Sequence, residues 1–126
     1  MRIPAVLAAL ALSALAPSAL LAHVELTAST PATGSETKAP KAITLTFNEP
    51  VNQASAAASI VMTAMPGMPN HGEMLMRNFT SNWSADGKTL TLSLKQALPK
   101  GTYEVRWQAA AADGHLMKGK IGFKVG

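Results

Sequence analysis

Apolar side chains recur at every second position in three runs of this chain, and that period leaves little choice of fold. Ile43, Leu45 and Phe47 share one side of the run Ala42–Phe47; Leu90, Leu92 and Leu94 share one side of Thr89–Leu94; Tyr103, Val105 and Trp107 share one side of Thr102–Trp107. Successive side chains of an extended chain point to opposite faces, so each run reads as a strand with one buried face. Shorter β-type runs over Val24–Thr30, Ser59–Met62 and Ile121–Val125 continue the series. Turn residues separate them: Thr33-Gly34-Ser35, Asn48-Glu49-Pro50, Asp86-Gly87, Pro99-Lys100-Gly101 and Asp113-Gly114. About seven short strands at this spacing predict an all-β domain, an antiparallel sandwich or barrel. The alanines at 54, 56, 57 and 58 support at most a short turn, and Ala109–Ala112 is too short to stand as a helix. No internal repeat or second domain is visible.

The segment before the strands is of another kind. Arg2 supplies a positive start, Ala5–Ala16 is uncharged and apolar, and Pro17 precedes a small-residue stretch ending at Ala22. This is the pattern of a secretory signal peptide over residues 1–22, leaving a domain of residues 23–126. The alternative is a retained anchor, but the apolar stretch falls short of the roughly 20 residues that span a bilayer.

Charge and cysteine content narrow the function. Eleven Lys and Arg against seven Asp and Glu give a net charge of +4, with Arg2 in the leader. Lys118, Lys120 and Lys124 stand at even positions and are expected on one solvated strand face. Two Trp, one Tyr and three Phe provide too few aromatic platforms for a nucleic-acid surface. With no cysteine, a secreted domain must rely on its core, and any metal must be held by His, Met, carboxylate or a chain terminus.

Two groups of residues fit metal chemistry. His23 becomes the first residue once Ala22 is removed, and an N-terminal histidine offers its α-amine and its imidazole to one ion. Asp113 and His115 stand two apart, so on an extended chain they share a face; in a turn, Asp113 would instead cap its own backbone and leave His115 exposed. His23, Asp113 and His115 together form a nitrogen-rich, tetragonal set suited to Cu(II), although zinc takes the same ligands. The second group is Met62, Met65, Met68, His71 and Met74 at steps of three, followed by Met76. Pro66, Gly67, Pro69 and Gly72 prevent a helix there, whereas a polyproline-like chain of three residues per turn would align these side chains. Thioethers select Cu(I). Methionines that fill a core, or an exposed methionine surface for peptides, are the other readings of that run.

These features in combination resemble the CopC family of periplasmic copper-resistance proteins. The resemblance rests on His23, on Thr46-Phe47-Asn48-Glu49-Pro50-Val51, on the Met62-to-Met76 stretch, on Gly101-Thr102-Tyr103-Glu104-Val105-Arg106-Trp107, and on Asp113-Gly114-His115 followed by Gly119. It implies a Greek-key, Ig-like or cupredoxin-like β-sandwich with two separated copper sites. It assigns His23, Asp113 and His115 to Cu(II), with Glu49 as a weaker carboxylate ligand. Met62, Met65, Met68, His71, Met74 and Met76 are the Cu(I) candidates, of which about three or four would bind one ion. The implied function is that of a monomeric periplasmic copper carrier without catalysis. The implied partners are a CopD-type inner-membrane protein or a periplasmic multicopper oxidase.

Two rival readings accompany it. An N-terminal histidine with a second histidine also resembles the copper brace of lytic polysaccharide monooxygenases, although Asp113 would fill a coordination position that such enzymes keep open. A metal-free interaction sandwich with incidental His and Met is the other, since sandwiches host many functions.

Overall fold

The computed structural model describes residues 23–68 and 72–126; the leader expected over residues 1–22 lies outside them, as does His71. Nine strands follow in chain order: β1 (Leu26–Thr30), β2 (Glu36–Thr37), β3 (Ala42–Phe47), β4 (Ala57–Ala64), β5 (Met74–Met76), β6 (Phe79–Trp83), β7 (Thr89–Leu94), β8 (Gly101–Ala110) and β9 (Leu116–Val125). They form two sheets, one of four strands in the order β1-β3-β7-β6 and one of five in the order β2-β9-β8-β4-β5. The chain crosses between sheets at β1–β2, β2–β3, β3–β4, β5–β6 and β7–β8, which gives the Greek-key interleaving of a sandwich. All pairings are antiparallel except that of β2 with β9.

The alternating runs form the facing layers. β3 buries Ile43, Leu45 and Phe47, β7 buries Leu90 and Leu92, and β8 buries Tyr103, Val105 and Trp107. Ile60 and Met62 from β4, and Ile121, Phe123 and Val125 from β9, complete one cluster. Two aromatic contacts organise it: Phe47 meets Trp107 edge-on at 5.1 Å, and Tyr103 stacks on Phe123 at 5.6 Å. Tyr103 donates its hydroxyl proton to the Pro99 carbonyl four residues upstream. That bond ties the entry of β8 to its own turn, as the tyrosine corner does in other sandwiches. Gly119 lies opposite Trp107 across the β8–β9 ladder. A Cβ there would fall 2.6 Å from the indole Cζ2, so only glycine lets the ring lie against β9.

The nine strands among the described residues exceed the expected seven or so: six match the runs named from the sequence, and β2, β5 and β6, which carry no full alternating run, are the others. The expected alanine turn is a short 3-10 segment, Gln53–Ser55, started by Asn52, whose side chain accepts the Ala54 N–H at 3.1 Å. Ala57 and Ala58 already belong to β4. Lys118, Lys120 and Lys124 are exposed along β9, as their even spacing requires. Among the described residues, no helix is long and apolar enough to cross a membrane.

Candidate metal centre

β8 connects the two groups of donor residues. Its first residue, Gly101, lies beside the methionines: a Cβ there would be 3.2 Å from the Met62 methyl and 3.6 Å from the Met65 Cα. Its last residue, Ala110, leads into the turn that carries Asp113 and His115. Ten extended residues separate the ends by about 30 Å.

At the Ala110 end the turn is made by its own side chain. The Gly114 N–H donates to the Ala111 carbonyl at 3.0 Å, and Gly114 adopts φ +80°. The His115 N–H donates to Asp113 Oδ1 at 3.1 Å. Of the two arrangements open for this pair, Asp113 therefore adopts the turn that caps its own backbone, and not the shared face of an extended strand. Its second oxygen, Oδ2, is left for other work and lies 3.3 Å from Nδ1 of both His115 and His23. The two imidazoles are 5.1 Å apart, centroid to centroid.

His23 reaches this place because Asn48 clamps the chain beside it. Asn48 donates from Nδ2 to the His23 carbonyl at 3.1 Å, accepts the Glu25 N–H on Oδ1 at 2.8 Å, and gives its own N–H to the Glu25 carbonyl at 3.0 Å. Val24, between them, is buried at 1 % exposure. Sequence reasoning treated Asn48 only as part of a strand-ending turn. The signal for its larger role was an amide side chain, with both donor and acceptor, directly after a buried strand.

Donor atoms of His23, Asp113 and His115 all lie within 4.8 Å of one another. Bonds of about 2.0–2.1 Å to a transition metal would draw them together by a small contraction. The His115 amide, and after it the neighbouring imidazoles, hold the Asp113 carboxyl below the ordinary carboxylate range. The group is therefore an anionic oxygen donor well into mild acid. Glu49 stands outside this cluster of three. Its Oε2 is buried and has no hydrogen-bond partner, a condition shared by the Trp107 indole Nε1.

At the Gly101 end the methionines do not form one polyproline face. Met62 is on β4 and only 3 % exposed, within the core. Met74 and Met76 are on β5, opposite Met62 and Ile60 respectively. Directly opposed residues of an antiparallel pair share a face, so strand pairing, and not a three-residue period, brings Met62 and Met74 together. Met65 and Met76 pack partly against the core. Met68 and Met74 are the exposed members, at 54 % and 51 %. A turn closed by the Met68 N–H on the Met65 carbonyl at 3.0 Å, with Gly67 at φ +78°, fixes the outgoing arm.

Fold and site thus define a class: a cysteine-free two-sheet sandwich with a surface His–Asp–His cluster at one end and a methionine-lined hairpin at the other. The CopC domain model matches residues 26–126. Copper resistance protein C of Pseudomonas syringae pv. tomato is 42 % identical over 104 residues, covering 82 % of this chain and 81 % of that protein. Copper resistance protein C of Escherichia coli is 35 % identical over 105 residues, covering 83 % and 82 %. Among solved structures, PcoC, a methionine-rich copper-resistance protein from Escherichia coli, superposes with a TM-score of 0.74 at 33 % identity, over 83 % of this chain and all of that one. CopC from Methylosinus trichosporium OB3b superposes at 0.63 with 26 % identity, over 82 % and 93 %. This chain belongs to the CopC family of copper-resistance proteins.

Proposed function

We propose that the protein is a periplasmic copper carrier that sorts the metal by oxidation state, Cu(II) at His23, Asp113 and His115 and Cu(I) at the methionine end. The observation that carries this reading is the convergence of two imidazoles on one carboxylate oxygen, from chain positions 92 residues apart. Removal of the leader after Ala22 would add the His23 α-amine beside them. Glu49 is the weaker Cu(II) ligand in this reading, with a buried side-chain oxygen that has no hydrogen-bond partner. On the other side, Met65, Met68, Met74 and Met76 are the donors nearest the surface, with Met62 beneath them; His71 completes the candidate set. Thioethers hold the soft ion and nitrogen and oxygen the harder one, so a change of oxidation state reverses which end copper prefers. About 30 Å between the ends favours exchange with a second molecule, a CopD-type membrane protein or a multicopper oxidase, over transfer within one chain.

The reading makes the protein a monomeric carrier and not an enzyme: with Asp113 among the Cu(II) ligands, it would fill a coordination position that a copper-brace oxygenase keeps open. The test is competitive titration with metal chelators. Asp113→Asn and His115→Ala should each lower Cu(II) affinity at least tenfold and leave Cu(I) unchanged. Converting all five methionines between 62 and 76 to leucine should do the reverse. Retention of Cu(I) affinity by the leucine variant would refute the sorting scheme.

A further inference from the structure

Arg106 belongs to neither donor set, yet its guanidinium is engaged on every side. It lies on the outward face of β8, between Trp107 and Val105, which face the core. Its Nε donates to Glu104 Oε1 at 3.0 Å, and Nη2 lies 3.0 Å from the same oxygen. The other Glu104 oxygen is 3.4 Å from Lys120 Nζ. The fork of Arg106 is aimed elsewhere: Nη1 donates to Glu73 Oε1 at 3.1 Å, and Nη2 to Glu73 Oε2. Glu73 is 33 residues away in sequence and directly precedes β5.

The sheet order places β4 between β8 and β5, so this bidentate pair crosses over β4. Val61, in the strand that it crosses, points away from the core yet is 1 % exposed. The pair is thus a strap over an otherwise open apolar position, and it ends at the point where the methionine loop rejoins the sheet. The outgoing arm continues an eight-residue strand and closes its own turn at Met65–Met68. The return arm re-enters the sheet through β5, three residues long and on the sheet edge. So short an edge strand contributes little pairing by itself.

We propose that Arg106, oriented by Glu104, is a positioning residue for the methionine end: by gripping Glu73 it fixes the return arm and so sets where Met74 and Met76 stand relative to Met65 and Met68. Its hydrogen bonds and ion pairs among the described residues run to Glu73 and Glu104. Bidentate arginine–carboxylate pairs fix direction as well as distance, which a lysine at this position would not do. The inference rests on the Cu(I) reading of those methionines.

The experiment uses the protein beginning at His23, with Glu73→Gln, Arg106→Lys and the double variant beside the wild type. Cu(I) affinity is read anaerobically by competition with a chromogenic Cu(I) chelator, and Cu(II) affinity on the same samples with a Cu(II) chelator. Each single variant should weaken Cu(I) about threefold to tenfold and leave Cu(II) unchanged. The double variant should be no weaker than the weaker single one, since both remove the same contact. Raising the salt should weaken Cu(I) binding in the wild type and leave Glu73→Gln flat, because the pair is partly exposed and screened. Cu(I) affinity equal to wild type in both singles, or equal losses at both metals, would overturn the positioning role. No Cu(I) binding by the wild type would instead refute the reading beneath it.

Discussion

At the scale of single residues, Asp113 shows how one side chain serves fold and site together. Oδ1 closes the turn and Oδ2 faces both histidines. Replacement by asparagine keeps the Oδ1 acceptor but removes the charge, so Asp113→Asn should leave thermal stability within about 1 kcal/mol of wild type while Cu(II) affinity falls. A large loss of stability, read by thermal melting, would mean that the charge is structural. The methionines differ in the same way. Exposed Met68 and Met74 should be oxidised by dilute peroxide well before Met62, which is 3 % exposed; peptide mass spectrometry over a time course reads the order. Tyr103 gives a pH prediction. Burial pushes its phenol up to about 12. The unfolded chain therefore loses this proton first, and stability fully present below about pH 10 should decline as pH rises toward 12. Denaturant melts at pH 9 and 11, with Tyr103→Phe as the control, measure that share.

At the scale of elements, what sequence could reveal depended on how many faces a strand buries. β3, β7 and β8 each bury one face against the other sheet, so their alternation is regular and their positions are evident from the chain alone. β6 is half-buried only at Phe79 and Trp83, and β2 consists of Glu36 and Thr37 held by the edge of β9. Neither has enough apolar residues to show a period. β5 is hidden for another reason: Met74 also fits a run at steps of three, and only the pairing of Met74 and Met76 with Met62 and Ile60 decides for a strand. The candidate donors were legible by type because His, Asp and Met are chemically distinctive. What holds them, Asn48 beside His23 and the Glu73–Arg106 pair beside Met74, was not, because tertiary contacts leave no local pattern. One packing relation at this scale is sharply testable. Gly119→Ala places a methyl against the Trp107 ring, and overpacking of this kind costs about 1–3 kcal/mol. Denaturant melts should show that loss; an unchanged midpoint would mean that the indole moves freely.

At the scale of the whole molecule, β8 is a rigid spacer that keeps a nitrogen–oxygen end and a thioether end apart. The two ends should respond differently to acid. Nitrogen donors bind a metal only in their unprotonated form, so protons compete with the ion at that end. Asp113, held below the ordinary carboxylate range, stays ionised into mild acid. Cu(II) affinity should therefore fall on acidification, while the thioethers, which carry no titrating proton, keep Cu(I) affinity nearly level. Parallel slopes would contradict the division of labour.

The central claim, that copper binds where His23 meets Asp113 and His115, is tested most directly by the Cu(II) electron paramagnetic resonance spectrum of protein beginning at His23, recorded beside the same protein with one added N-terminal residue. The account predicts a nitrogen-rich tetragonal signal that changes in the extended form, because the extension converts the α-amine into an amide. Identical spectra would remove the α-amine from the site, and the absence of protein-bound copper in both would contradict the carrier itself.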